Sequence, residues 1–172
     1  MLQSKSFSRF ITLISVFIFV VIIVADVSAQ SRNSGLPLPR FVSLRADEVN
    51  MRTGPGVQYP VEWVYRRQGL PAEIIAEYGT WRKIRDWQGT QGWIHQSMLS
   101  GKRTFIVIGN LRTLRRSPTS TSAARVQAEV GVIGHFLECK SDSGWCRTEI
   151  AGHKGWIRRV DVWGVYKAEE IK

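Results

Sequence analysis

Cysteine and histidine are scarce in this sequence of 172 residues, which contains two cysteines and three histidines. The spacing His-x3-Cys-x6-Cys-x6-His, from His135 to His153, does not match the short-spaced ligand pairs of structural zinc sites. The sequence also lacks a His-Glu-x-x-His segment, a phosphate-binding glycine loop and a Gly-x-Ser-x-Gly nucleophile motif. The two cysteines do not form the Cys-x-x-Cys pair that is typical of redox sites. We therefore predict a non-catalytic protein that holds no metal and no cofactor.

Long apolar runs are also rare, and the longest lies at the N-terminus. Lys5 and Arg9 precede residues 10–25, which are apolar except for two hydroxyl residues. This run of 16 residues is shorter than the roughly 20 that a membrane-spanning helix needs. Small residues then end at Ala29, in the pattern that a signal peptidase reads. We predict a signal peptide over residues 1–29, cleaved near Ala29, and a periplasmic or secreted protein. In the alternative, the segment stays as an uncleaved anchor and is the chain's one contact with the membrane.

The rest of the chain is strongly basic. Residues 30–172 contain 22 Lys and Arg against 13 Asp and Glu, which gives a net charge of +9. In a cytoplasmic protein this excess would indicate nucleic acid, but an exported chain meets little of it, so we predict no nucleic-acid partner. Anionic envelope surfaces, the carboxylates of cell-wall peptides and acidic proteins fit better. The basic residues are spread over both halves of the chain, so a charge that serves solubility alone stays open.

A repeat with an offset of 63 residues organises the chain. Arg52 recurs as Arg115 near the start of each unit, and Gly-Trp-Ile at 92–94 recurs at 155–157 near its end. The matches span both ends of each unit, which indicates a duplicated domain. The predicted divisions are a signal peptide at 1–29, a linker rich in Ser, Gly and Pro at 30–39, the two domains at 40–101 and 103–165, and a tail at 166–172.

Each unit is predicted to be all-β. Segments such as 73–78, 81–86 and 92–95 are short, rich in Ile, Trp and Tyr, and bounded by Gly-containing turns. Beyond residue 30, no stretch shows a convincing helical period over three turns. A domain this small buries only about 60% of its unfolded surface, so large aromatic side chains are needed to fill its core. Short strands at regular spacing predict a small barrel.

The two cysteines, Cys139 and Cys146, flank a turn signal at residues 141–144. If these four residues form the loop of a hairpin, the cysteines face each other and a disulfide forms in an oxidising compartment. The corresponding loop in the first unit is two residues shorter, and the positions that match the cysteines are Glu77 and Arg82. We predict a disulfide across the second hairpin and an ion pair across the first.

The segment Val-Asn-Met-Arg-Thr-Gly-Pro-Gly at 49–56 resembles the opening of bacterial SH3-like domains. In that family an apolar-Asn-apolar-Arg-Ser/Thr-Gly-Pro segment leads into a long loop, a tryptophan strand follows, here at Trp81, and Gly-Trp-Ile closes the domain, here at 92–94. The second unit keeps most of this pattern, but Arg116 and Ser117 replace the Thr and Gly of the opening, so its loop is expected to differ in shape.

The resemblance covers nearly all of residues 40–165 and implies two tandem SH3-like β-barrels. It also implies a ligand-binding role, often for cell-wall peptide or for a partner protein. The two tryptophans of Gly-Trp-Ile, Trp93 and Trp156, are expected to cover one mouth of each barrel. Two functional hypotheses follow: a module that binds cell-wall peptidoglycan, or an envelope adaptor or stabilising subunit that binds another protein.

Strand alternation selects the candidate binding residues. Trp81, Lys83, Arg85 and Trp87 share one face of a strand, and Ile84, a candidate core residue, lies on the other. The aromatic and basic side chains are therefore expected to point outward, where rings stack on sugars and guanidinium groups grip carboxylates. In the alternative interpretation, Trp81 and Trp87 only fill the barrel edges. The full set of candidates is Arg52, Tyr59, Trp63, Trp81, Arg85 and Trp87 in the first unit and Arg115, Arg116 and Trp145 in the second.

Overall fold

The computed structural model describes residues 33–172, so the predicted signal peptide and the start of the linker lie outside the described residues. Residues 33–172 form fourteen β-strands and two short 3-10 helices. No helix in this range is long and apolar enough to cross a bilayer. The prediction of an all-β fold is confirmed.

The strands fall into two equal sets, one in each repeat. The first set comprises β1 Arg40–Leu44, β2 Val49–Arg52, β3 Val61–Tyr65, β4 Pro71–Tyr78, β5 Trp81–Arg85, β6 Gln91–His95 and β7 Leu99–Ser100, with the 3-10 helix Gln96–Met98 before β7. The second set comprises β8 Thr104–Val107, β9 Arg112–Arg115, β10 Ala124–Ala128, β11 Ile133–Cys139, β12 Trp145–Ile150, β13 His153–Arg158 and β14 Val162–Trp163, with the 3-10 helix Arg159–Asp161 before β14.

The two repeats share one sheet topology. The order in the first sheet is β3-β2-β6-β5-β4-β1-β7, and in the second it is β10-β9-β13-β12-β11-β8-β14. The paired strands are antiparallel. Every strand of the second sheet therefore takes the place of the strand seven positions earlier in the chain, as a duplicated domain requires.

Each sheet surrounds its own apolar core. Along β5 the side chains of Arg82 and Ile84 are buried while Trp81 and Lys83 are only partly so, which is the alternation expected of a strand with one face inward. Met51, Ile84 and Ile94 are fully buried in the first core. Phe105, Leu114, Cys146 and Ile157 are fully buried in the second core.

Strands β1 and β8 depart from this alternation because the two barrels pack together along them. All four residues of β8 are buried. Phe105 and Val107 belong to the core of the second barrel, whereas Ile106 packs into the core of the first. On β1, Phe41 lies with its ring centroid 4.8 Å from that of Trp163 in an edge-on contact. Each barrel therefore covers an apolar strip of the other.

The hairpins β4–β5 and β11–β12 carry the two predicted cross-strand links. Cys139 and Cys146 are register partners with Cα atoms 4.5 Å apart, and they form a disulfide. Glu77 and Arg82 are register partners in the first hairpin, with the Arg82 Nε 3.2 Å from the Glu77 Oε1. The disulfide and the ion pair are both confirmed.

The segments outside the two repeats pack onto the barrels. In the predicted linker, the Ser34 backbone N–H and hydroxyl each donate a hydrogen bond of 2.7 Å to the Glu77 carboxylate. In the predicted tail, Ile171 is buried and exchanges two backbone hydrogen bonds of 2.9 Å with Cys139, beside the disulfide. Glu169 pairs with Arg103 at the start of the second repeat. The last seven residues thus extend the second barrel.

Candidate functional site

A tryptophan flanked by two cations lies on the outer face of the first sheet. Trp93 on β6 is the register partner of Arg52 on β2 and of Lys83 on β5. A Cβ on the neighbouring Gly92 would lie 2.5 Å from the Cγ of the buried Met51, so position 92 faces the core and Trp93 faces outward. We call Arg52, Trp93 and Lys83 the first row.

The second sheet repeats this arrangement. Trp156 on β13 is the register partner of Arg115 on β9 and of Arg147 on β12. A Cβ on Gly155 would lie 2.7 Å from the Cγ of the buried Leu114, so Trp156 also faces outward. We call Arg115, Trp156 and Arg147 the second row. Corresponding positions of both barrels therefore present an aromatic ring between two positive charges.

A shallow cleft lies beside the second row. The cations that line this cleft make the second row more basic than the first. The cleft has a volume of about 270 Å³. Four cations line it against one carboxylate, that of Glu138. The lining consists of Arg116, Arg125, Glu138, Arg147, Lys154, Gly155 and Trp156.

The expectation that Trp93 and Trp156 cover a barrel mouth is wrong. Both lie on an outer sheet face and are partly exposed. The motif itself contained the signal that was missed. In Gly-Trp-Ile the Ile is a core residue and the Gly lies against the core, so alternation requires the Trp between them to point outward.

Arg52 and Arg115 also hold the loops that follow their strands. The Arg52 Nη1 donates to the carbonyl oxygens of Val57 and Tyr59, at 3.2 and 2.7 Å. The Arg115 Nη1 donates to the carbonyl oxygen of Ser122 at 2.6 Å. These two candidates therefore shape the β2–β3 and β9–β10 loops, and their backbone positions lie opposite the tryptophan of each row.

Trp81 and Arg85 point outward, as alternation predicted, but Arg85 has a structural partner. Its Nε and Nη2 donate to the Glu73 Oε2 at 2.8 and 2.6 Å. Glu73 also accepts a hydrogen bond of 2.8 Å from the Tyr166 hydroxyl, so it links the first barrel to the C-terminal segment. The Trp81 ring packs edge-on at 5.4 Å from the His95 ring. Arg85 is consequently a weaker ligand candidate than Lys83.

Trp87 does not share the outward face, and the expectation that it does is wrong. It is partly buried and packs against the core of the first barrel. The reason is that β5 ends at Arg85, so alternation no longer applies. Asp86 then accepts hydrogen bonds from the backbone N–H groups of Gln88 and Thr90, both at 2.9 Å, and these bonds turn the chain. For Trp87, the interpretation as a residue that fills the barrel edge holds.

Trp63 and Tyr59 belong to a different surface, at the free edge of the first sheet. Trp63 is 54% exposed on β3, the outermost strand, where it pairs with Met51. The Tyr59 ring covers the backbone of Gly54, where a Cβ would lie 2.4 Å from the ring. We call the exposed apolar residues of this region the apolar edge: Val57, Tyr59, Val61, Trp63 and Val64.

The three candidates of the second repeat lie around the second row. Arg115 and Trp145 line one shallow depression of about 180 Å³, together with Arg158. Arg116 lines the cleft beside Trp156. The structure thus places the second-repeat candidates in two depressions that residues of the second row also line, whereas it divides those of the first repeat between the first row, the apolar edge and structural contacts.

The groups with displaced pKa values are structural. Burial alone would raise the pKa of Glu77, but hydrogen bonds from Arg40 and Ser34 and the charge of Arg82 lower it to about 2. Burial, together with a hydrogen bond to the charged Asp86, raises the pKa of Tyr65. Neither group belongs to a row. Residues 33–172 contain no cluster of three or more His, Cys, Asp or Glu side chains that could hold a metal ion.

Comparison with known proteins adds one curated relative and two solved structures. The chain is 26% identical over 127 residues to the putative N-acetylmuramoyl-L-alanine amidase YrvJ of Bacillus subtilis (strain 168), and the alignment covers 66% of this chain and 24% of that protein. The structure of NlpC2 from Trichomonas vaginalis aligns over 73% of this chain and 48% of its own, at 12% identity and a TM-score of 0.33. The structure of NlpC1 from the same organism aligns over 77% of this chain and 48% of its own, at 14% identity and a TM-score of 0.33. The chain thus spans about a quarter of the length of the curated relative.

The family comparison accounts for both repeats. The sequence model of the family described as bacterial SH3 domain matches residues 45–101 and 109–164. These two matches fall on the two seven-stranded sheets, and they confirm the resemblance seen in the opening and closing motifs. The chain therefore belongs to the bacterial SH3 domain family, with two such domains in tandem.

Proposed function

We propose that this protein is an exported, non-catalytic module that binds cell-wall peptidoglycan through the first and second rows. The observation that carries the proposal is the placement of the same side-chain types on corresponding strands of both barrels. Each row has Arg on β2 or β9, Trp on β6 or β13, and Lys or Arg on β5 or β12.

The chemistry of the rows suits a polymer of sugars and acidic peptides. The flat face of an indole packs against the apolar face of a sugar ring, and the flanking cations attract carboxylates. The net charge of +9 over residues 30–172 adds a general attraction to anionic polymers. The name of the curated relative gives it an activity on N-acetylmuramoyl-L-alanine, a link between a sugar and a peptide. Export, which the N-terminal sequence predicts, would bring the protein to such a substrate.

A second candidate function, an envelope adaptor for another protein, is favoured by the apolar edge. Trp63 and Val61 lie on an edge strand whose outer backbone groups have no strand partner within the described residues. Exposed apolar edges of this kind are typical places for a protein partner to add a strand. The equivalent strand β10 reads Ala-Arg-Val-Gln-Ala and lacks exposed aromatic residues.

Co-sedimentation with purified peptidoglycan tests the proposal. The protein from residue 30 onward, with its disulfide formed, is mixed with the polymer at low and at physiological salt. We expect binding that persists at physiological salt and falls at least tenfold when Trp93→Ala and Trp156→Ala are combined, since stacking on an aromatic ring contributes on the order of 1 kcal/mol or more per site.

Two control variants separate specific binding from the alternatives. Arg66 is 77% exposed and lies outside both rows, so Arg66→Gln removes one surface charge and should leave sedimentation unchanged. Trp63→Ala removes an exposed tryptophan of the apolar edge and should also have no effect. Equal losses in the row variant and in Trp63→Ala would refute the assignment to the rows. Absence of sedimentation at both salt concentrations would favour the adaptor.

A further inference from the structure

The surfaces around the two rows differ in charge between the repeats. In the second repeat, the cleft beside Trp156, which we call the second-row cleft, is lined by four cations and one carboxylate, a net charge of +3. In the first repeat, the corresponding positions hold one cation and one carboxylate, so their charges cancel. These positions are Thr53, Glu62, Ala76, Lys83 and Gln91, which correspond in order to Arg116, Arg125, Glu138, Arg147 and Lys154.

The sequence and the strand registers establish these correspondences. Thr53 and Arg116 each follow the arginine of their row. Glu62 is the residue that the register between β2 and β3 skips, and Arg125 is the residue that the register between β9 and β10 skips. The other three correspondences follow from the positions relative to the row tryptophans. The same places in two copies of one fold therefore carry different charges.

This local difference equals the difference in charge between the two whole repeats. Residues 40–101 contain 8 Lys and Arg and 6 Asp and Glu, which gives a net charge of +2. Residues 103–165 contain 10 Lys and Arg and 5 Asp and Glu, which gives a net charge of +5. A charge that served solubility alone would need no fixed place on the surface. The position of the additional charge beside Trp156 therefore indicates a binding role.

The charged side chains of the second-row cleft are accessible to a ligand. All four cations are exposed, and Trp156 is partly exposed. Within residues 33–172, the three arginines of the cleft form no ion pair. The one carboxylate, that of Glu138, lies 3.9 Å from the Nζ of Lys140, which is outside the cleft. The guanidinium groups are thus free to pair with an added anion.

The shape of the site favours an extended polymer over a small anion. The second-row cleft is shallow, and its cations come from β10, β12, β13 and the residue that follows β9. An exposed cation binds a single anion weakly, because water and salt screen the pair. Several such contacts along one polymer add together. Trp156 lies among the cations and supplies an aromatic surface that suits the apolar face of a sugar ring.

We propose that the second barrel binds an acidic polysaccharide, a sugar chain with carboxylates spaced along it, whereas the first row binds uncharged sugars. Trp156 packs against one sugar ring, and the cations of the second-row cleft pair with the carboxylates of neighbouring sugars. The inference rests on the proposed role of the rows as binding surfaces. It adds a division of ligands between the two barrels, which their shared fold alone does not require.

Titration calorimetry at physiological salt with three probes tests the ligand class. The probes are an oligomer of galacturonate, the same oligomer with its carboxylates methyl-esterified, and polyglutamate of matched charge. We expect the acidic oligomer to bind, the ester to bind about tenfold more weakly or less, and polyglutamate to bind more weakly than the acidic oligomer. Equal binding of acid and ester would overturn the proposal, as would the absence of binding of the acid. Polyglutamate that binds as tightly as the acidic oligomer would show that the cleft responds to charge alone, and it would overturn the assignment to a sugar polymer.

An exchange of residues between the repeats tests the site itself. Arg116→Thr, Arg125→Glu and Lys154→Gln together give the second-row cleft the residues of the first repeat. All three side chains are exposed, so the fold should be retained, and the melting temperature checks this. We expect binding of the acidic oligomer to weaken about tenfold, since three exposed charge contacts together correspond to roughly that factor.

A control variant with the same change in net charge separates the site from a general attraction. Arg66→Glu combined with Lys102→Glu also removes four units of positive charge, from exposed residues outside the second-row cleft. It should leave binding of the acidic oligomer nearly unchanged, and equal losses in the two variants would overturn the proposal. If the acidic oligomer binds but peptidoglycan does not sediment the protein, the proposed function alone fails. If peptidoglycan sediments the protein but the acidic oligomer does not bind, this inference alone fails.

Discussion

The Glu77 carboxylate is the buried ionic link of the first barrel, and its replacement by glutamine tests how much that link stabilises the fold. The side chain is 2% exposed. The Arg40 Nη2 lies 2.5 Å from its Oε1, the Arg82 Nε lies 3.2 Å from the same oxygen, and Ser34 donates two hydrogen bonds. Glu77→Gln keeps the size of the side chain but removes its charge, and it leaves the guanidinium of Arg82, itself 4% exposed, without its ionic partner.

The magnitude follows from the pKa. A pKa of about 2 in the fold, against an ordinary value of 4.5, corresponds to about 3 kcal/mol of stability when the carboxylate is ionised. Because the pKa is lower in the folded state, this contribution is fully present above pH 4.5 and is lost as the pH falls towards 2. We therefore expect Glu77→Gln to lower the free energy of unfolding by about 3 kcal/mol at pH 7 and by only about 1 kcal/mol at pH 3.

Urea unfolding followed by tryptophan fluorescence at pH 7, 5 and 3 measures both values. Glu48→Gln is the matched control, because Glu48 is 59% exposed and its oxygen lies 3.5 Å from the exposed Arg66. Surface pairs of this kind contribute little, so we expect a change of about 0.5 kcal/mol or less at every pH. A cost of Glu77→Gln that is the same at pH 7 and at pH 3 would refute the reasoning, because the effect would then not come from the charge.

Two further predictions concern the second barrel. Reduction of the Cys139–Cys146 disulfide opens a short loop and should lower the free energy of unfolding by about 2–3 kcal/mol. Urea unfolding with and without reductant measures this change, and identical unfolding midpoints would contradict it. Gly155→Ala should destabilise by about 1–3 kcal/mol, since its Cβ would lie 2.7 Å from the Arg115 carbonyl oxygen, while Gly144→Ala, with open space around it, should change the melting temperature little. Equal melting temperatures of the two alanine variants would show that the backbone around Gly155 yields easily.

The cross-strand links could be predicted from the sequence because they depend on local spacing. The turn between Cys139 and Cys146 fixes which residues face each other, and in the first repeat, where the loop is two residues shorter, the tighter turn brings Glu77 opposite Arg82. The same local logic placed Trp81 outward on β5. It failed for Trp87, because alternation holds only within a strand and the end of β5 could not be located from the sequence.

Register shifts and contacts between distant segments could not be predicted in this way. Arg85 was expected to be available to a ligand, yet Glu73 holds it. The turn alone would pair Arg85 with Ile74, but a register shift between Ile74 and Ala76 pairs it with Glu73 instead. Alternation likewise shows that Thr104 and Ile106 share a face of β8, but not that this face meets the other barrel. Trp93 and Trp156 could have been found, since the core residues on either side of each already determine its direction.

Because of Ile106, the sequence repeat that was duplicated is not identical to the unit that folds around one core. Ile106 lies in the second copy of the repeat, yet its side chain completes the core of the first barrel. A protein cut at the sequence boundary after residue 101 would leave that core open, and the second copy alone would expose an isoleucine to water. If the first repeat alone were replaced by that of a related protein, its strands would be exchanged. Ile106, which completes its core from the second repeat, would not be exchanged with them. The two repeats should therefore be kept together when the protein is truncated or recombined, because each one alone loses or exposes a core residue.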